Sequence, residues 1–182
     1  MFGNKIFVDL ECTCNNDDSF PREEMEIIEF GAYITNSELE VIDTFNCFVK
    51  PTIHSKLTDF CKELTTISQN DVNNAETLDV VMPKFFKKFR QHNIKEFYSF
   101  GAFDYHKIRH ESERVNVQEP RGVKKINFKD ILKALNPSLK RVGTKKALNI
   151  LNLEQVGTQH RAKDDAYMLY LMYQKIFSQG KG

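Results

Sequence analysis

The sequence predicts an α/β domain. Its core is a mixed five-stranded sheet, an antiparallel meander followed by parallel strands, with helices on both faces. Three observations predict this. The first fifty residues hold three β-rich segments joined by short connections, which only antiparallel strands allow. From residue 56 onward, apolar residues recur at helical spacing with short strand-like runs between them. The chain has 182 residues, 41% of them hydrophobic, which suits one domain (1–182) with a sizeable core.

The first strand opens on Ile6-Phe7-Val8 and carries Asp9 and Glu11 near its end. Asn15-Asn16-Asp17-Asp18-Ser19-Phe20-Pro21 is polar and turn-rich, a loop at the end of the sheet. Glu26 to Thr35 reads as the second strand, Asn36-Ser37 as a turn, and Leu39 to Val49 as the third strand. Past Pro51, the residues Leu57, Phe60, Cys61 and Leu64 repeat at helical spacing. Thr77 can cap a helix whose apolar stripe is Leu78, Val81, Met82, Phe85, Phe86 and Phe89. Pro83 is expected near its first turn, where a missing N–H costs least. Phe97-Tyr98-Ser99-Phe100 makes a fourth strand, and Phe103-Asp104 opens a helix to about Arg114. After a basic loop at 116–125, Ile126-Asn127-Phe128 is the last strand. A helix from Lys129 to Leu135 follows, stopped by Asn136-Pro137. Two more helices are expected, about Gly143 to Leu151 and Ala162 to Phe177.

The apolar runs are too short to cross a bilayer, and the first residues lack a basic segment followed by an apolar h-region. The expectation is a cytoplasmic protein with no membrane partner. Cys12, Cys14, Cys47 and Cys61 lack CxxC spacing and read as reduced thiols. The net charge of +1 hides an asymmetry. Residues 1–80 hold 5 Lys/Arg and 16 Asp/Glu, a net of −11; the remainder holds 21 and 9, a net of +12. A basic half suits a polyanionic partner, and equally a set of solvated helix faces.

Asp9 and Glu11 lie two apart in a strand, so they share a face. Buried together, two carboxylates repel and are costly to desolvate, and a cation offsets both effects. Clustered hard oxygens suit Mg²⁺, Mn²⁺ or Ca²⁺. Taken alone, the pair also reads as a hydrated strand end. Asp104 follows a strand and opens a helix, at the sheet edge where ligands gather. Alone, it is a helix-start carboxylate favoured by the macrodipole. His160 and Asp165 are five residues apart, roughly 140° beyond one helical turn, so they cannot share a helix face. They meet only if His160 lies in the loop after Gly157-Thr158-Gln159 and Asp165 in the first turns of the last helix. Glu29 sits inside an apolar stretch and reads as buried, making a structural hydrogen bond or supporting the acidic site.

Asp9-Leu10-Glu11-Cys12-Thr13-Cys14, Ser99-Phe100-Gly101-Ala102-Phe103-Asp104 and His160-Arg161-Ala162-Lys163-Asp164-Asp165-Ala166 resemble the three motifs of the DEDDh exonucleases. That resemblance covers nearly the whole chain. More narrowly, the run DLECTC, the run EIIEFGAYI and the segment Leu57 to Thr65 are similar to the branch that contains the histone-mRNA 3′-end exonucleases. The resemblance implies a ribonuclease-H-like fold and a metal-dependent 3′→5′ exonuclease, an exoribonuclease releasing 5′-mononucleotides. It implies that Asp9, Glu11, Asp104 and Asp165 hold two Mg²⁺ ions, with Mn²⁺ a substitute. Such a pair, about 4 Å apart, activates water and stabilises the leaving oxygen. His160, not needed as a ligand, would take the proton of the attacking water. The implied substrate is single-stranded RNA or a 3′ overhang, with DNA possible. Thr13 and the backbone beside Glu11 would meet the 3′-hydroxyl. Phe60 and Leu64 would flank the terminal base, their other reading being core packing. Lys140, Arg141, Lys145, Lys146 and Arg161 could track phosphates. The other readings are a DNA 3′→5′ exonuclease of the proofreading or repair type and a non-catalytic nucleic-acid-binding module. A Ca²⁺-stabilised structural protein would have no use for His160.

Overall fold

The computed structural model describes residues 3–139 and 142–178. Its sheet is centred on β1 (Asn4–Cys12), with β2 (Ile27–Thr35) and β3 (Val41–Phe48) on one side and β4 (Ile94–Ser99) and β5 (Lys124–Asn127) on the other, in the order β3-β2-β1-β4-β5. The first three strands pair antiparallel; β4 runs parallel to both β1 and β5. The helices are α1 (Asp59–Thr65), α2 (Gln69–Asn73), α3 (Leu78–Gln91), α4 (Phe103–Arg114), α5 (Phe128–Leu135), α6 (Thr144–Ile150) and α7 (Ala162–Phe177). Among the described residues, no helix is long and apolar enough to cross a membrane.

The period-two alternation of β1 serves two cores at once. Ile6, Val8 and Leu10 pack on one face with Val81, Met82, Phe85 and Phe89 of α3. Phe7 points the other way, its ring 5.1 Å from that of Tyr98 and 5.2 Å from that of Tyr173 of α7. Full burial of an aromatic such as Phe7 stabilises by roughly 1.5–3 kcal/mol. Asp9 and Glu11 continue the Phe7 face toward the start of α7.

Gly31 sets how close α7 comes. It is the Cα partner of Asp9 across the β1–β2 pair, so its missing side chain belongs to the same face. A Cβ there would stand 2.0 Å from the Ala162 backbone. Only glycine lets the N-terminus of α7 lie against β2, directly beside the acids of β1.

Several local expectations differ from the structure: β4 begins at Ile94, and β5 takes in Lys124 and Lys125 from the expected basic loop and leaves Phe128 to α5. The third strand starts at Val41, because the Asn36 carboxamide accepts hydrogen bonds from Glu38 N and Glu40 N and lengthens the turn. Thr77 occupies the N-cap of α3, yet its side chain makes no capping bond. Pro83 lies in the second turn of α3, on an exposed position where the ring faces solvent. The α1 helix begins at Asp59, where Thr58 Oγ1 accepts from Cys61 N at 2.9 Å and donates to Cys14 O at 2.6 Å. That hydroxyl ties α1 to the chain leaving β1.

Candidate active site

Four elements deliver five side chains to one cleft of about 470 Å³. Asp9 and Glu11 come from β1, Asp104 from the first turn of α4, His160 from the loop before α7, and Asp165 from its first turn. Asp104 reaches them because β4 is the parallel neighbour of β1, so both strands end on the same side. The expectation for His160 holds: it lies in the loop, in the left-handed region at φ 61°, and its backbone N donates to Asp165 Oδ2 at 2.9 Å. The ring is exposed. One ring nitrogen, one Glu11 oxygen and one Asp165 oxygen all lie within 4.8 Å of one another. So His160 stands nearer to ligand geometry than the sequence suggested.

Both readings of Glu29 are realised. Its buried carboxylate accepts from Arg161 Nη2 at 2.9 Å, Arg161 Nε at 3.1 Å and Ala162 N at 3.0 Å. Arg161 is also held over the Phe48 ring, at 5.2 Å. This clamp fixes the start of α7, and with it the residues on either side, His160 and Asp165. Arg161 thus gives Nε and Nη2 to Glu29, a bidentate pair that positions the start of α7 beside any contact it makes to phosphate. Thr13 also bonds within the fold. It is buried, and its Oγ1 accepts from Glu26 N at 2.8 Å, so it binds β1 to the start of β2 instead of opening onto the cleft. Phe60 and Leu64 are half-exposed on α1 and belong to none of the buried clusters, while their neighbour Cys61 faces inward. They do not line the acidic cleft itself. Lys145 and Lys146 are exposed on α6; Lys140 and Arg141 lie outside the described residues. Sequence reasoning missed Arg22, which lines the cleft from the acidic half of the chain. A lone arginine in a turn-rich loop carries no periodic signal.

The acids perturb one another. Burial first, then the charges of Asp104, Glu11, Asp165 and Glu29, pushes the Asp9 carboxyl well up from its ordinary range. Burial, followed by Asp165 and Glu29, pushes Glu11 up to about 8. Burial raises Asp104 to about 7 against the pull of its own and the Leu10 backbone N–H groups and of Lys129. Asp165 is raised by burial, opposed by the His160 backbone N–H. Its Oδ1 is buried without a hydrogen-bond partner. Converging carboxylates with an orphaned buried oxygen fit a divalent cation, which would supply the missing partner.

A pH dependence follows for the metal-free protein. Glu11 and Asp104 hold protons in the fold that they release when unfolded, at ordinary values of 4.5 and 3.8. The folded state binds more protons across this window, so stability must fall as pH rises. In chelator, Tm is expected to drop by on the order of 10 °C between pH 5 and 8.5, at about 2–4 °C per kcal/mol for a domain of this size. Divalent ions should restore it, because they bind the deprotonated acids. Calorimetry at four pH values checks this; a Tm that rises with pH over that window would mean the acids are not mutually buried.

Comparison with known proteins places this geometry. Human 3′-5′ exoribonuclease 1 is 36% identical over 107 residues, covering 56% of this chain and 30% of the relative. The match thus spans less than a third of that curated protein. The nuclease domain of 3′hExo, solved as a DEDDh family member bound to rAMP, superposes with a TM-score of 0.87 at 24% identity, over 98% of this chain and 94% of that one. A 3′-exonuclease solved in recognition of the histone mRNA stem-loop gives 0.88 at 24% identity, covering 98% and 65%. These two structures carry the fold, and the ribonuclease-H-like expectation stands. The exonuclease family model RNase_T matches residues 6–173, from the middle of β1 to the packed face of α7, and the acidic cleft lies within that span. This chain belongs to the RNase_T exonuclease family.

Proposed function

We propose that residues 1–182 act as a single exonuclease domain, a metal-dependent 3′→5′ exoribonuclease that shortens single-stranded RNA or 3′ overhangs and releases 5′-mononucleotides. The observation that carries this reading is the convergence of Asp9, Glu11, Asp104, Asp165 and His160 in one cleft. The RNA preference rests on the names of the relatives. The all-carboxylate set suits Mg²⁺, with Mn²⁺ a substitute. Asp9, Glu11, Asp104 and Asp165 would hold two such ions, which when bound supply water activation and charge stabilisation at the leaving oxygen.

The residues themselves do the rest. His160, held by Asp165 at its backbone and exposed at its ring, accepts the proton of the attacking water at a ring nitrogen. The water oxygen bonds to phosphorus as the P–O3′ bond breaks, and the departing 3′ oxygen takes a proton from solvent. One product is a nucleotide with a 5′-phosphate, the other a strand with a new 3′-hydroxyl. Phe60 and Leu64, half-exposed on the helix tied to the end of β1, offer apolar contact to an unpaired terminal base. The four free thiols suit a reducing compartment, in keeping with a cytoplasmic protein.

The test is digestion of 5′-labelled single-stranded RNA and DNA with Mg²⁺, and of RNA blocked by a 3′-phosphate. Stepwise shortening of RNA from the 3′ end, slowed by the phosphate, is expected. Faster loss of DNA would move the substrate to the proofreading or repair class. Rapid cutting of circular RNA would overturn exonuclease polarity, because a circle has no end to seat.

A further inference from the structure

One cation, Arg22, lines the acidic cleft, and a second, Lys129, rests on a ring that lines it; neither pairs with its acids. Arg22 lines the cleft from the short helical turn Arg22–Glu24, its guanidinium 5.0 Å from the centre of the Phe103 ring. Lys129, in the first turn of α5, holds its Nζ 5.1 Å from the centre of the Phe100 ring. Both aromatic rings line the cleft, and both lie just before Asp104 in sequence. Among the described residues, no ion pair includes Arg22 or Lys129. The pairs stand on opposite faces of the sheet: Phe103 packs with the α3 core, Phe100 with the α7 core. Two aromatic rings of the cleft wall, one toward each core, thus each carry a cation.

We propose that Arg22 and Lys129 are substrate-positioning residues that grip the phosphates of a single strand as it crosses the cleft between them. This rests on the reading of the protein as a nuclease. The physical reason lies in what each cation does not do. Surrounded by carboxylates, a cation with no other task would form ion pairs with them. Resting on a ring instead leaves the guanidinium edge free, with its fork of N–H donors, and the ammonium with donors of its own. Unpaired donors held on the rings of an acidic cleft suit a polyanion whose central phosphate meets the metals. The strand also needs this help, since the cluster of acids repels it until cations are bound. Lys129, resting on the Phe100 ring of the cleft wall, would meet the phosphate nearest that ring. Arg22, on the other wall, would meet a neighbouring phosphate.

The test uses Arg22→Gln and Lys129→Met, which keep the side-chain stem over the ring and remove the charge. Binding of a labelled ten-nucleotide single-stranded RNA is measured by fluorescence anisotropy with Ca²⁺ in place of Mg²⁺, at four salt concentrations. Each variant is expected to raise Kd about 10-fold. Each should also make log K less steep in log salt by about 0.7, the share of one phosphate on a single strand. Melting in chelator is expected to stay within about 2 °C of wild type. Unchanged affinity and slope, in variants of a wild type that binds and shortens RNA, would overturn the proposal and leave the nuclease reading standing. So would a fall in metal-free Tm without a change in slope, which would make the two cations mere counter-charges for the acids. A wild type that neither binds nor shortens RNA or DNA would overturn the nuclease reading and this inference together.

Discussion

Replacing Asp9 by asparagine is expected to lower single-turnover hydrolysis by roughly 10³-fold or more, about 4 kcal/mol of transition-state stabilisation. Glu11→Gln and Asp104→Asn should do the same. None of these should harm the fold. In the metal-free state Asp9 and Glu11 are held above their ordinary range by burial and by neighbouring carboxylates, and Asp104 by burial, so neutralising any one relieves an unfavourable buried charge. The variants should therefore melt at or above the wild-type temperature in chelator, while gaining less from added Mg²⁺. Asp165 is the informative exception. Its Oδ2 accepts the His160 backbone N–H, so Asp165→Ala removes both a proposed metal ligand and the bond that holds the loop. It should lose activity and also melt below Asp165→Asn, which keeps an acceptor oxygen. Calorimetry in chelator and Mg²⁺, beside single-turnover rates, measures both effects. Near-normal rates in the asparagine and glutamine variants, or their unfolding in chelator, would make the acids structural.

Removing the His160 ring should cost on the order of 10²–10⁴-fold in rate, the usual scale for a general base. The choice of variant matters because His160 sits at φ 61°. Alanine is strained in the left-handed region by roughly 1–2 kcal/mol, whereas asparagine adopts it readily. His160→Asn keeps the backbone donor to Asp165 and removes the imidazole, so it separates chemistry from loop geometry. Its Tm should match wild type, and its RNA affinity in Ca²⁺ should change little. Because a ring nitrogen lies within 4.8 Å of Glu11 and Asp165 oxygens, a ligand role must also be tested. Titration calorimetry with Mg²⁺ does this: unchanged metal affinity with a large rate loss identifies a base, and a parallel loss of both identifies a ligand. A wild-type rate in folded His160→Asn would remove the histidine from the mechanism.

The sequence by itself determined the elements and the chemistry they carry. The apolar run before Asp9, the stripe from Leu78 to Phe89 and the span Ala162–Phe177 are local periodicities, and local periodicity follows from which residues must face a core. It also placed His160 in a loop, because a five-residue separation on a helix forbids convergence with Asp165. What tertiary structure decided was the partner of each polar group. Arg161 and Thr13 were expected to face substrate, and the fold gives them Glu29 and Glu26 as partners, residues distant or merely nearby in sequence. Arg22 showed no pattern, yet packing on Phe103 brought it to the cleft. Gly31 is unremarkable as a letter in a strand; only the approach of Ala162 shows why no side chain fits there. The physical reason is range. Periodicity and helix geometry act over a few residues, so they are written along the chain. A hydrogen bond or close contact has no preferred sequence separation, and its partner is chosen only when the sheet has formed.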